Sequence, residues 1–182
     1  MSTPSVEERL QQLEDRQELA DLVTRYCIAV DDRDLDALIP LFTSDASMGH
    51  ADGSAGGSGT EGIRRYYEDR LKGVGTCFHY WHAQLLDFTG ADSATGVVLA
   101  HAEMAVDDQM VVGGIRYHDD YRREDGAWRF RARGLRFFYL MDAEELPAGI
   151  HTRERKRWPG PAEAAELPDS LDTYRSFRAR IG

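Results

Sequence analysis

Apolar positions recur in steps of three and four through Val6, Leu10, Leu13, Ala20, Val23, Cys27 and Val30, and Leu19, Leu22 and Tyr26 widen this stripe. That period predicts one long amphipathic helix. Its front half, EERLQQLEDRQ, is highly charged and is expected to project or to pack on a partner. The polar run Asp31-Asp32-Arg33-Asp34 interrupts the pattern, and LDALIPLF predicts a second, short helix over residues 35–42, limited by Pro40. Thr43-Ser44-Asp45 reads as a turn, and the small residues ADGSAGGSG (51–59) as a flexible loop. That loop lacks the lysine and the strand–turn–helix context of a phosphate cradle. Thr60 is the expected N-cap of a third helix running through IRRYYEDRL.

After Gly75 the pattern changes to segments rich in aromatic and β-branched residues: CFHYWHAQLLDF, SATGVVLAHAEMAV, QMVVGGIRYHDDYRR and AWRFRARGLRFFYL. These read as strands. Thr89-Gly90-Ala91-Asp92, Asp107-Asp108 and Glu124-Asp125-Gly126 separate them as turns, the last being a hairpin signal. Helices first and antiparallel strands afterwards predict an α+β domain over residues 1–140. Residues 141–182 hold four of the six prolines, Pro147, Pro159, Pro161 and Pro168. They read as an irregular C-terminal tail packing on the domain or on a neighbouring subunit, with a short helix near residues 169–178.

Composition narrows the function classes. Across 182 residues, 42% are apolar and 30% charged, which fits one soluble globular domain. The net charge of −10 argues against nucleic acid or an anionic membrane surface as the main partner. No apolar run approaches the roughly 20 residues of a membrane span, and the polar, acidic start MSTPSVEERLQQLEDRQ is unlike a signal peptide. Cys27 and Cys77 are too few for a disulfide framework, so a cytoplasmic chain with free thiols is expected. No nucleotide, flavin or zinc-protease motif is present, and no cofactor is expected.

The order of helices and strands, together with AVDDRDLDALIPLFTSDA, resembles the SnoaL-like group of the nuclear transport factor 2-like superfamily. The resemblance covers roughly residues 6–140. It implies a cone-shaped, strongly curved antiparallel sheet that wraps the N-terminal helices and leaves a pocket at its open end. Val30-Asp31-Asp32-Arg33 and Phe78-His79-Tyr80 match the catalytic segments of the hexachlorocyclohexane dehydrochlorinase family, and Gly96 follows in register. The scytalone dehydratase family lays its catalytic aspartate and histidine on the same two positions. The resemblance therefore implies an Asp31–His79 dyad for cofactor-free elimination. The other scytalone dehydratase pocket residues are not shared: Val30, His50, Met104 and Tyr117 stand at or near their positions.

The chemistry of such a pair is simple. Histidine is the side chain best suited to act as a general base near neutral pH. A carboxylate bonded to one ring nitrogen fixes the tautomer and leaves the other nitrogen for substrate. On a strand, His79, Trp81 and Ala83 face one way and Tyr80, His82 and Gln84 the other. His79 and His82 therefore cannot share a metal ion without a bulge, and no metal site is expected. The same register points His101 outward. His50, at a strand end, is either a second polar group over the substrate or an exposed loop histidine. Tyr26, Trp81, Met104 and Tyr117 complete the expected substrate contacts, whereas Arg136 reads as a surface arginine and Trp128 as core.

The expected function is a lyase of dehydratase type acting on a small apolar steroid, terpenoid or aromatic polyketide-like molecule. The alternatives are an isomerase or polyketide cyclase, which also begin with proton abstraction, and a non-enzymatic ligand-binding or dimerisation subunit. Apolar residues on the outer sheet face predict a homodimer or higher homo-oligomer.

Overall fold

The structure is a computed structural model and describes residues 5–181. Expectations for the first four residues lie outside it. Helix α1 spans Val6–Asp31 and opens with a capping box: the Ser5 hydroxyl accepts the Glu8 N–H at 3.1 Å, and the Glu8 carboxylate accepts the Ser5 N–H at 2.6 Å. Its buried face begins only at Asp15 and continues through Leu19, Val23, Tyr26, Cys27 and Val30. Val6, Leu10 and Leu13 belong to the same apolar stripe but stand in solvent. No helix among the described residues is long and apolar enough to cross a membrane.

Helix α2 (Leu35–Leu38) is capped by the Asp34 side chain, which accepts the Ala37 N–H at 2.8 Å. A single 3₁₀ turn, Ile39–Leu41, then carries Pro40 where no N–H is needed. Strand β1 (Phe42–His50) follows at once, so Thr43-Ser44-Asp45 is strand rather than turn. The register slips between Phe42 and Ser47, and this irregular start turns Asp45 out to Arg122, 2.6 Å away. The glycine-rich loop also contains order, since β2 (Gly56–Ser58) pairs antiparallel with β1. Backbone proximity requires glycine there: a Cβ on Gly57 would stand 2.2 Å from the Gly62 carbonyl oxygen. Helix α3 (Gly59–Leu71) begins after Ser58, two residues before the expected Thr60 cap.

Strands β3 (Cys77–Gly90), β4 (Ser93–Val106), β5 (Gln109–Glu124) and β6 (Ala127–Asp142) are the four predicted strands. The six-stranded sheet has the order β2-β1-β6-β5-β4-β3 and is antiparallel except where β1 joins β6 in parallel. Left-handed residues make the tight turns, Asp107 (φ 51°) between β4 and β5 and Asp125-Gly126 (φ 52° and 76°) between β5 and β6. Bulges at Trp81/Ala83, Gly114/Ile115 and Asp120/Tyr121 bend the long strands around the helices. The fold is thus the expected α+β arrangement, a curved, unclosed sheet with α1 across its inner face.

Gly96 shows how tightly that interior is filled, because a Cβ there would stand 2.8 Å from the Tyr121 ring and 3.2 Å from Leu86. Gly96→Val is expected to lower stability by about 1–3 kcal/mol through overpacking. A denaturant midpoint unchanged from the parent would show that the ring moves aside freely.

The tail runs along the late part of β6. The Leu140 N–H donates to the Arg155 carbonyl, and the Arg157 N–H to the Leu140 carbonyl, each at 2.7 Å. The Leu167 N–H reaches the Phe137 carbonyl at 3.0 Å. Arg155 is buried and donates to the carbonyls of Phe138 and Leu167 and to Asp169. β1 covers the same edge of β6 earlier, over residues 130–135, so the tail closes a length of edge that would otherwise be open. Between these contacts lies α4 (Leu146–Gly149), and the chain finishes with α5 (Asp172–Ile181), none of whose residues is buried.

Candidate active site

Asp31 is the last residue of α1 and Cys77 the first of β3, so the site lies where the long helix meets the start of the first long strand. One carboxylate grips His79 twice. Asp31 Oδ1 stands 2.6 Å from the His79 ring Nδ1, and Oδ2 accepts the His79 backbone N–H at 2.8 Å. Burial works against the Asp31 charge, but the two bonds from His79, its positive polarity and the Cys77 thiol outweigh it and hold the carboxyl below its usual range. An ionised carboxylate can only accept, so Nδ1 carries a proton, and the tautomer this selects for a neutral ring has its lone pair on Nε2.

Arg33 fixes the helix end against the strand. Its backbone is left-handed (φ 62°), which turns the chain out of α1. Its guanidinium donates to the Val30 carbonyl at 2.9 Å, to Cys77 Sγ at 2.8 Å, and to the carbonyls of Val74 and Gly75. Sequence reasoning passed over Arg33 as part of a polar run. The available signal was a cationic side chain just past a helix C-terminus, where free carbonyls await donors.

Asp31 Oδ1, Cys77 Sγ and His79 Nδ1 lie within 4.8 Å of one another, a spacing that could hold a cation. The Arg33 guanidinium already stands on the sulfur, and burial pushes the Cys77 thiol up, so that it stays protonated. Both features oppose a thiolate-bound metal ion.

The cavity beside His79 is lined mainly by apolar and aromatic side chains: Val30, Met48, Leu71, Met104, Ile115, Leu135, Phe137 and Leu140, with Tyr26, Tyr66, Tyr67, Tyr117 and Arg70. About 40 Å³ of it is open to the centre of a water molecule. The structure thus gathers His79, Tyr26, Met104 and Tyr117 around one space, and Asp31 reaches it only through its bonds to His79. It does not place His50 or Trp81 among the lining residues. Trp81 shares the strand face of His79 but lies farther along it, beneath α1, and its indole N–H donates to Thr24 Oγ1 at 3.1 Å. His50 sits behind Phe137, ring centroids 5.3 Å apart, with Nδ1 3.0 Å from Ser54 Oγ. Burial and the charges of Arg70 and Lys156 push it down to about 4, so it is neutral near pH 7. His82 and His101 meet on the other sheet face, Nε2 to Nδ1 at 2.8 Å, with Tyr80 stacked on His101.

Two lining phenols are linked: Tyr67 donates to the Tyr26 oxygen at 2.8 Å, and burial pushes both phenols well up. The Tyr66 hydroxyl, by contrast, is buried without a hydrogen-bond partner among the described residues. Behind Tyr26 and Tyr117 lies Arg133, fully buried, its guanidinium carbon 4.1 and 3.9 Å from those ring centroids and 4.5 Å from that of Phe130. Among the described residues none of its nitrogens has a hydrogen-bond partner, and Asp119 is 3.7 Å away. The Asp119 charge and the three ring faces together therefore stabilise this cation. Neither Tyr66 nor Arg133 was singled out from sequence. Arg133 alternates with apolar neighbours as any strand arginine does, and inward facing was the missing information.

The SnoaL-like domain family model matches residues 11–134. The chain belongs to this family. The γ-hexachlorocyclohexane dehydrochlorinase of Sphingobium indicum is 29% identical over 145 residues, covering 78% of this chain and 90% of that one. The crystal structure of LinA superposes with a TM-score of 0.70 at 27% identity, covering 79% of this chain and 97% of its own. A candidate scytalone dehydratase from Novosphingobium aromaticivorans shares the fold, with a TM-score of 0.68 at 20% identity over 84% of this chain and 98% of its own. Dehydrochlorinases are lyases, so this SnoaL-like chain is similar to enzymes that eliminate.

Proposed function

We propose that this chain is a cofactor-independent lyase that removes a proton and a neighbouring leaving group from a small apolar molecule, with His79 as base and Asp31 as its orienting partner. The observation that carries this reading is the double grip of one carboxylate on the ring and backbone of His79 at the edge of an apolar cavity. In the reaction the substrate C–H proton passes to His79 Nε2 and the C–H electrons become the new double bond. The leaving group departs with its bonding pair, as halide or, after the imidazolium returns the proton, as water. Arg133 supplies a fixed positive field behind the Tyr26 and Tyr117 rings that favours the departing negative charge. The narrow ligand-free cavity would hold a few waters, so a ring-sized substrate enters as the flexible Met48, Met104 and Arg70 side chains repack.

One observation favours a second reading. The unpartnered Tyr66 hydroxyl could donate to a carbonyl oxygen, which is what an isomerase or cyclase requires once the proton is gone. Mass spectrometry of products from a panel of chlorinated and hydroxylated alicyclic compounds separates the two. Loss of hydrogen chloride or water, absent with Asp31→Asn, is the expected result. A product of unchanged mass would transfer the assignment to isomerisation. No turnover across the panel would favour a binding module.

A further inference from the structure

We propose that the projecting tip of α1 and the terminal helix α5 are the two halves of one interface, each receiving the other from a second copy of this chain. Both helices leave an apolar stripe in water. On α1 it is Val6, Leu10 and Leu13, 79%, 55% and 64% exposed, at the i, i+4, i+7 spacing of one helix face. On α5 it is Tyr174, Phe177 and Ile181, at i, i+3, i+7, the last two 48% and 59% exposed. The charges are opposite. Residues 5–14 carry Glu7, Glu8 and Glu14 against Arg9, whereas α5 carries Arg175, Arg178 and Arg180 against Asp172. In a chain of net charge −10, α5 is a concentrated basic segment.

The two stripes cannot meet within one molecule. Asp15, the first buried residue of α1, bonds Trp128 at the start of β6, and residues 5–14 extend beyond that point, away from Asp31. α5 leaves from the opposite end, where Arg155 and Leu167 dock on Phe137–Leu140. A 26-residue helix is about 39 Å long, so the tip and α5 are separated by on the order of 30–40 Å. Only another copy can bring a basic helix to the acidic tip, and a reciprocal exchange closes the assembly with two equal contacts. The tip before residue 11 and all of α5 lie outside the family match, so this interface belongs to this chain rather than to the shared domain.

The full chain is tested by light scattering after gel filtration, over a range of salt. The expected result is a closed assembly whose mass falls in the Arg178→Glu/Arg180→Glu variant and in the Glu7→Arg/Glu14→Arg variant, with self-affinity weaker by about tenfold or more. It should be regained when all four changes are combined. Because α5 is unburied, a chain ending at Leu171 keeps its fold by circular dichroism and should show the same loss. A monomeric parent, an unchanged mass on truncation, or failure of the combined variant to recover each overturns the proposal. So does binding of α5 to phosphatidylserine vesicles by a parent that does not self-associate, since a basic amphipathic helix also suits an anionic lipid surface.

Discussion

His79→Ala is expected to lower kcat/KM for elimination by about 10²–10⁴-fold, with little change in KM, because only the proton-abstracting group is lost. The side chain is partly buried and its backbone N–H still reaches Asp31 Oδ2, so the fold should persist. Asp31→Asn tests the second half of the pair. An asparagine oxygen can still accept the His79 backbone N–H, but its amide then faces Nδ1 as a donor and selects the tautomer whose proton sits on Nε2. That ring cannot accept the substrate proton, so the loss should approach that of His79→Ala, and the double variant should lose little more. The native Asp31 carboxyl is depressed, so the stability it contributes is present above its ordinary pKa and disappears as pH falls through the folded value. Steady-state kinetics with melting curves as a folding control decide the matter. Turnover within about threefold of the parent for either single variant would remove the dyad from the mechanism.

The second large effect concerns the buried charge behind the cavity. Asp119→Ala is expected to cost about 3–5 kcal/mol, because it leaves the Arg133 guanidinium buried among Tyr26, Tyr117 and Phe130 with no countercharge. For a chain of this size that is roughly 6–20 °C in Tm. Replacing both members, Arg133→Met with Asp119→Leu, should recover most of the stability, since apolar groups of similar volume suit that site. It should not recover elimination if the Arg133 field assists the leaving group.

Asp119 also gives the pair a pH signature. Burial pushes its carboxyl up to about 6 against the opposing Arg133 charge and the Tyr121 hydrogen bond, from 3.8 in an unperturbed chain. A raised folded pKa means that the native state binds the extra proton. The associated stability is full below about 3.8 and is lost as pH rises to about 6. Urea unfolding between these limits should show that decline in the parent and not in the double replacement. A flat dependence in both would mean that the carboxylate is solvated in the native state.

The legibility of the chain follows from the range of the forces involved. The long strands and their hairpins were readable because alternation and turn chemistry are local, and Asp125-Gly126 makes its turn whatever surrounds it. Thr43-Ser44-Asp45 and the glycine-rich segment were misread because their strand character comes from β6 and from close backbone approach, both remote in sequence. The resemblance implied that Asp31 and His79 form a pair, and the structure brings them into hydrogen-bond contact. Trp81 was misassigned because strand parity gives the face but not the distance along it. Arg133 and Arg33 are ordinary surface residues by composition, and the tertiary environment alone gives them their positions.

The sequence by itself determined the long helix, the four long strands, the α+β class and the net acidic charge, and it offered Asp31 and His79 as candidates for acid–base work. Those properties depend on periodicity, on charge and on intrinsic side-chain chemistry. Tertiary structure alone decided that one carboxylate holds both the ring and the backbone of a histidine 48 positions away. It also decided that an arginine lies buried between two tyrosines, and that two helices keep apolar side chains exposed. Each depends on burial and on ångström-scale distances between segments remote in the chain, which no local pattern encodes.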